Sequence, residues 1–318
     1  MPDRESRLDA LRDEASRPST ISERPELVEG RLAAAPAAAR GYYDRPILKP
    51  PVWTWEVPAY FFVGGVAGIA AMIAAVAAVA GADPALVGDA RWIAAVGALV
   101  SPLLLISDLG RPDRFLNMLR VFKLRSPMSV GAWTLALFAP AVLAPVVLGL
   151  SGFGGAAGLR VVVWVCDVMA AATGLVLATY TGVLIGATAI PVWAAHARLL
   201  PLHFGASSLG AAVSMVELCG HFTPPLNRLG IVAAIVETII GIRLELGRKS
   251  PASVLGRGAS GPATRLGDLL SGPLPLLLRL GAPLWPLGRP IAAAAAIAGS
   301  IFTRYGWIDA GRRSADTR

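Results

Sequence analysis

The chain has 318 residues, of which 55% are hydrophobic and 16% charged, with 34 glycines and a formal net charge of +8. Such a composition belongs to an integral membrane protein and excludes an ordinary soluble domain. The charge calls for no nucleic acid, because a nucleic-acid binder would carry folded basic modules with interleaved aromatics.

Residues 1–45 are rich in Arg, Glu, Asp, Ser and Pro and too poor in apolar side chains to fold alone, so a disordered tail is expected there. No apolar core follows its first basic residues, which argues against a secretory signal. Residues 46–308 are expected to form one membrane domain, followed by a short tail over 309–318.

Four apolar windows approach the ~20 residues of a bilayer span: 60–80, 90–107, 130–150 and 161–189. Four more, 204–219, 229–246, 269–287 and 290–305, are shorter or interrupted by charge or proline. In lipid the backbone must satisfy its own hydrogen bonds, and Ala/Val/Leu runs without polar alternation point to helices rather than barrel strands. The expected fold is therefore an all-α bundle of about eight transmembrane helices. Gly64 and Gly68, four apart, would allow close helix approach in the first span, so the GGVAG run reads as packing and not as a phosphate loop.

Eight spans place both termini on one side. Beyond the far N-terminal tail that side holds nineteen basic residues, Arg304 among them, against Arg91, Arg160, Arg228 and Arg289 on the other. Such a bias predicts cytoplasmic termini in the cell membrane. The loop between spans two and three, within SDLGRPDRFLNMLRVFKLRSPMSVGAW, lies on the same side and carries Arg111, Arg114, Arg120, Lys123 and Arg125 with Asp108 and Asp113. A loop that charged suits partner docking; a salt-bridged cap on the second span, built from Asp108 and its arginine neighbours, is the alternative.

Metal chemistry has few ligands here. Cys166 and Cys219 fall inside predicted spans and fall short of the four thiolates of an iron–sulfur cluster. His196, His203 and His221 fall in or next to loops, whereas a membrane haem needs histidines facing each other within helices, and no Cys/His pair has zinc spacing. Ionisable groups within spans cost ~2.5–3.5 kcal/mol each on insertion scales, so each calls for a partner or a purpose. Glu56, Asp108, Asp167, Glu217, Glu237, Arg243, Glu245 and Arg279 are such groups. Asp167, Glu217 and Glu237 read either as proton-path carboxylates or as hydrogen-bonded packing residues. Glu217 and His221 are four apart and could bond along one helical face. Tyr60 and Tyr180 could hydrogen-bond a quinone carbonyl or serve as interfacial aromatics.

In order along the chain, PPVWTWEVPAYFFVGGVAG from Pro50, SDLGRPDRFLNML from Ser107, SPMSVGAW from Ser126, YTGVLIGATAIPVW from Tyr180 and RYGWIDAGRRSA from Arg304 resemble the NrfD/PsrC family. These are the membrane subunits of polysulfide reductase-like molybdoenzyme complexes, and the likeness covers about residues 42–315. The resemblance implies an eight-helix bundle without haem or iron–sulfur cluster of its own. It also implies a site for menaquinone or ubiquinone where a ferredoxin-like iron–sulfur subunit docks, with a molybdopterin catalytic subunit beyond. By motif position, Tyr60, Tyr180, Glu56 and Asp108 would form the quinone site. The basic bias would suit a cytoplasmic partner, for example one like formate dehydrogenase. Two rivals are a passive anchor and an ion translocator, the latter marked by discontinuous helices around its acids. Residues 248–287, rich in proline and glycine, depart from the family pattern and carry no assignment.

Overall fold

The computed structural model describes residues 51, 53–109, 112–151, 157–248 and 260–316. Among them every regular element is a helix, and no strand occurs. In chain order the helices are α1 (Glu56–Val79), α2 (Pro84–Asp108), α3 (Pro127–Leu150), α4 (Ala157–Gly186), the short α5 (Pro191–Ala195), α6 (Leu200–Leu218), α7 (Pro224–Arg248), α8 (Ser260–Ser271), α9 (Pro273–Leu280) and α10 (Gly288–Asp316). A 3-10 turn, Pro112–Leu119, lies between α2 and α3.

Five of these, α1, α2, α3, α4 and α10, are long and apolar enough to cross a membrane. The protein is thus an all-α, multi-pass membrane protein. Helix α6 has the length of a span but dilutes its apolar content with His203, Ser207, Ser208, Ser214 and Glu217, and α7 carries Arg228, Glu237, Arg243 and Glu245. Both pack within the bundle, where the buried members of these sets find partners. The seventh window, expected as one helix over 269–287, is two: α8 ends at Ser271 and α9 begins at Pro273. Gly272, at φ −108° and ψ −99°, sits between them. Pro273 and Pro275 lack the N–H groups that would continue the ladder, and the residue before a proline is pushed out of the helical region. At the far end α10 runs on to Asp316, past the boundary expected at 308, and keeps Ile308, Ala310 and Ala315 buried.

Local sequence explains the helix starts. Asp83 accepts a hydrogen bond from the Ala85 amide with Pro84 next to it, and Ser126 does the same for the Ser129 amide with Pro127 following. A side-chain acceptor and then proline is a strong N-terminal signal, because proline's missing donor is one the helix leaves unused. The second serine of Ser-Pro-Met-Ser acts elsewhere, with Ser129 Oγ accepting from the Lys123 amide at 3.0 Å and donating to the Val121 carbonyl at 3.2 Å. The basic loop is thereby tied down on α3.

Helices α1 and α4 touch backbone to backbone. A Cβ at Gly68 would collide with the Gly174 carbonyl, and one at Gly174 with that of Gly68. Nothing lies within 4 Å of a Cβ placed at Gly88. Overpacking of this kind costs about 1–3 kcal/mol. Gly68→Ala is therefore expected to lower the thermal unfolding midpoint of detergent-solubilised protein, followed by tryptophan fluorescence, while Gly88→Ala leaves it in place. Equal midpoints would mean that the α1–α4 contact carries no stability.

Candidate functional site

The widely spaced motifs converge at the end of the bundle where α1 begins. Trp53 stacks on Trp193 with ring centroids 5.4 Å apart and meets Phe61 edge-on. Trp193 donates its indole N–H to the Trp307 carbonyl at 2.8 Å, and Ser314 Oγ accepts from the Val192 amide at 3.3 Å. Tyr305 donates to the Trp55 carbonyl at 3.1 Å. Segments up to 250 residues apart in sequence thus share one packed floor.

On that floor stand the four residues expected at a quinone site. Asp108, the last residue of α2, is 8% exposed and accepts from Thr54 Oγ1 at 3.1 Å. The same hydroxyl meets a Glu56 carboxylate oxygen. One hydroxyl proton can serve one of the two carboxylates at a time, so Thr54 couples them. Arg312, from α10, lies within electrostatic reach of Asp108 and Asp309. One helical turn beyond Glu56, Tyr60 reaches across to Tyr180 of α4, the two phenol oxygens 2.5 Å apart. The tyrosines are 1% and 8% exposed. Gly131, in the Ser-Pro-Met-Ser helix, gives Tyr180 its place: a Cβ there would enter the phenol ring.

The carboxylates expected on a proton path fall into three separate environments. Asp167 is held by Arg91, with Arg91 Nε 3.2 Å from Oδ1 and Nη2 2.5 Å from Oδ2. Glu217, 0% exposed, is clamped by two arginines: Arg279 Nη1 donates to it at 3.0 Å and Arg289 Nη2 at 2.5 Å. Arg279, in the stretch that carries no assignment by sequence, is itself 1% exposed and also reaches Ser214 and Asn227. Glu237, 1% exposed, faces His203 Nδ1 at 3.1 Å and accepts from Ser271 Oγ at 2.8 Å.

Two sequence expectations change. Glu217 and His221 do not bond each other, because Gly220 at φ +103° turns the chain off the helix, and His221 instead pairs with Asp89 at 2.8 Å. His203, expected in or next to a loop, is in the first turn of α6, beside the preceding turn, and is buried to 1%. Arg304, counted with the basic side, is fully buried: it donates to Ser300 Oγ at 2.9 Å, Ser208 Oγ at 2.7 Å and the Phe204 carbonyl at 2.9 Å, and its charge lies over the Phe204 ring. The signal for His203 and Arg304 is their position within helical apolar periodicity, where a charged group needs an internal partner.

Of the docking candidates, Arg120, Lys123 and Arg125 are exposed; Arg111 and the side chain of Arg114 lie outside the described residues. At the opposite end of the bundle Cys219 is exposed just after α6, and partial burial together with the Asp89 carboxylate pushes its thiol up.

A family model described as NrfD, polysulphide reductase, matches residues 47–224, more than half of the chain. The matched range takes in Glu56, Tyr60, Asp108, Tyr180, Trp193, His203 and Glu217, and it stops short of Glu237, Arg279 and Arg304. No curated protein matches the chain.

Removing one member of a buried ion pair strands the other and costs about 3–5 kcal/mol, whereas replacing both with apolar groups costs far less. Glu217→Leu, which strands both Arg279 and Arg289, should lower the unfolding midpoint strongly, and Arg279→Met, which leaves Arg289 on Glu217, should lower it less. The Glu217→Leu/Arg279→Met double variant should recover part of the loss, and simple additivity in that cycle would count against the pair.

Proposed function

The chain belongs to the NrfD family, and from that footing we propose that it is the quinone-reactive membrane subunit of an oxidoreductase complex. The family is one of membrane subunits of molybdoenzyme redox complexes. The observation that carries the reading is the pair of buried phenols, Tyr60 and Tyr180, one helical turn from two carboxylates that share a hydroxyl.

A quinone head group supplies two-electron, two-proton chemistry, and the residues present fit it. Two phenol donors can serve carbonyl oxygens, and Phe61 and Leu177 give an apolar wall. The phenols now bond each other, so engaging a carbonyl exchanges that bond for one to the ligand with little net change in hydrogen bonding. Gly131 leaves the Tyr180 ring room to hold its place. Glu56 and Asp108, nearer the bundle end, hold or release protons at carboxylate oxygens linked through Thr54 Oγ1.

Electrons would come from, or go to, a ferredoxin-like iron–sulfur subunit seated on the loop that presents Arg120, Lys123 and Arg125, with Arg111 and Arg114 in the same segment. Ser129 holds that loop in shape before a partner arrives. A molybdopterin subunit, of a formate dehydrogenase-like or polysulfide reductase-like kind, would complete the chain of transfer. The basic bias puts this face and the termini in the cytoplasm. Among the proton-path carboxylates, Asp167 and Glu217 are committed to arginines, while Glu237 is bonded to a histidine that can change its own protonation.

Titration of the purified chain with a menaquinone or ubiquinone analogue tests the site. Tyr180→Phe should weaken binding about fivefold, the equivalent of one hydrogen bond of about 1 kcal/mol, and Asp108→Asn should weaken it as well. Unchanged affinity in both variants would sink the assignment, and absence of any binding would leave a passive anchor. Orientation has its own test: a membrane-impermeant maleimide should label Cys219 in intact cells, faster in Asp89→Asn because the thiolate forms more readily. Labelling confined to inverted vesicles would reverse the orientation.

A further inference from the structure

Discontinuous helices around buried acids mark ion pathways in membrane proteins, and the break between α8 and α9 lies against such a group. Ser271, the last residue of α8, donates to Glu237 Oε2 at 2.8 Å, and Glu237 Oε1 is 3.1 Å from His203 Nδ1. His203 is 1% exposed, and its Nε2 is buried without a hydrogen-bond partner, 3.9 Å from Asp268 Oδ1. A buried polar atom left open normally costs about 1–3 kcal/mol, so its persistence here calls for a use.

Asp268 supplies a way in. Its side chain is 14% exposed, and it lines a groove of about 230 Å3 between α7 and α8, with Glu245 and Arg265 ion-paired at 3.0 Å on the same groove. By helix order this groove lies toward the face that carries the termini. The charged groups around the His203 ring are Glu237 from α7, Asp268 from α8 and Arg304 from α10. The Arg304 guanidinium disfavours a metal cation in the same space.

We propose that His203 is a proton-exchange residue, loaded at Nε2 from the Asp268 groove and unloading through Nδ1 into Glu237. In the inward step the Asp268 carboxyl O–H breaks as an N–H forms at Nε2, and the Nδ1 proton passes to Glu237 Oε1. The ring is left as the other neutral tautomer and no electrons move. Ser271 holds the far oxygen of Glu237, so the break in the seventh span positions the acceptor. This proton site rests on the quinone reading only for its purpose, which is to carry protons for that chemistry across the protein's polar interior.

Mass-spectrometric deuterium exchange at histidine C2, on the full chain in lipid nanodiscs across about pH 5–9, reads titration and water access for each histidine, and His196 and His221 serve as internal references. His203 should exchange with a sigmoidal pH profile. Asp268→Asn and Glu237→Gln should each change its rate at least threefold, with the reference histidines unaltered. A His203 that exchanges at no pH, or one indifferent to both substitutions, overturns the proposal. Quinone-analogue binding on the same samples separates the readings: a responsive His203 in a chain that binds no analogue upholds the proton site and removes the quinone site.

Discussion

A charge inside a lipid-facing bundle must be neutralised by the protein itself, and this constraint decides which helices of this chain become neighbours. Arg91 and Asp167 tie α2 to α4; Glu217 with Arg279 and Arg289 ties α6 to α9 and α10; Arg304 with its serines ties α10 to α6. Each of these contacts joins helices far apart in sequence, and Glu217, Arg279 and Arg304 are buried where water cannot replace their partners. Apolar packing between helices is weakly selective in lipid, because tails are as apolar as leucine, so these polar ties carry much of the specificity.

The same constraint separates the bundle into two ends of different character. Toward the end where α1 begins, the buried polar pairs join phenol to phenol, threonine to two carboxylates and histidine to glutamate, while the arginine–carboxylate pairs Arg265–Glu245 and Arg313–Asp309 lie exposed. Toward the other end, carboxylates are clamped by arginines or capped by His221. Groups of the first kind can re-form their hydrogen bonds around a new partner, and those of the second kind act as fasteners. The quinone-site candidates gather at one end, where the tryptophan floor and the tied-down basic loop also lie.

Much of this is legible in the chain. Apolar windows locate the helices because a span is set by length and composition, and Asp83-Pro84 and Ser126-Pro127 locate two of their starts because capping is local chemistry. Gly68 reads correctly as a packing glycine, since only a missing side chain permits backbone contact, although its partner Gly174 is invisible without the fold. The family motifs point to Tyr60 and Tyr180 but not to their bond with each other. His203 reads as lying in or next to a loop, and the fold places it in the first turn of α6, where it is buried against Glu237. The break at Gly272 shows in sequence only as irregularity, although Gly-Pro-Leu-Pro holds its cause.

Composition and the placement of charge suffice to fix the solvent and the architecture: lipid leaves the backbone only helices or a closed barrel, and apolar runs without polar alternation exclude the barrel. The order of the motifs along the helices likewise fixes the end of the bundle at which they collect. Only folding assigns partners to buried polar side chains, and it separates Glu237 beside a histidine from Glu217 beneath two arginines. The cost of burial is a property of the residue, whereas relief of that cost depends on a group brought near from another helix.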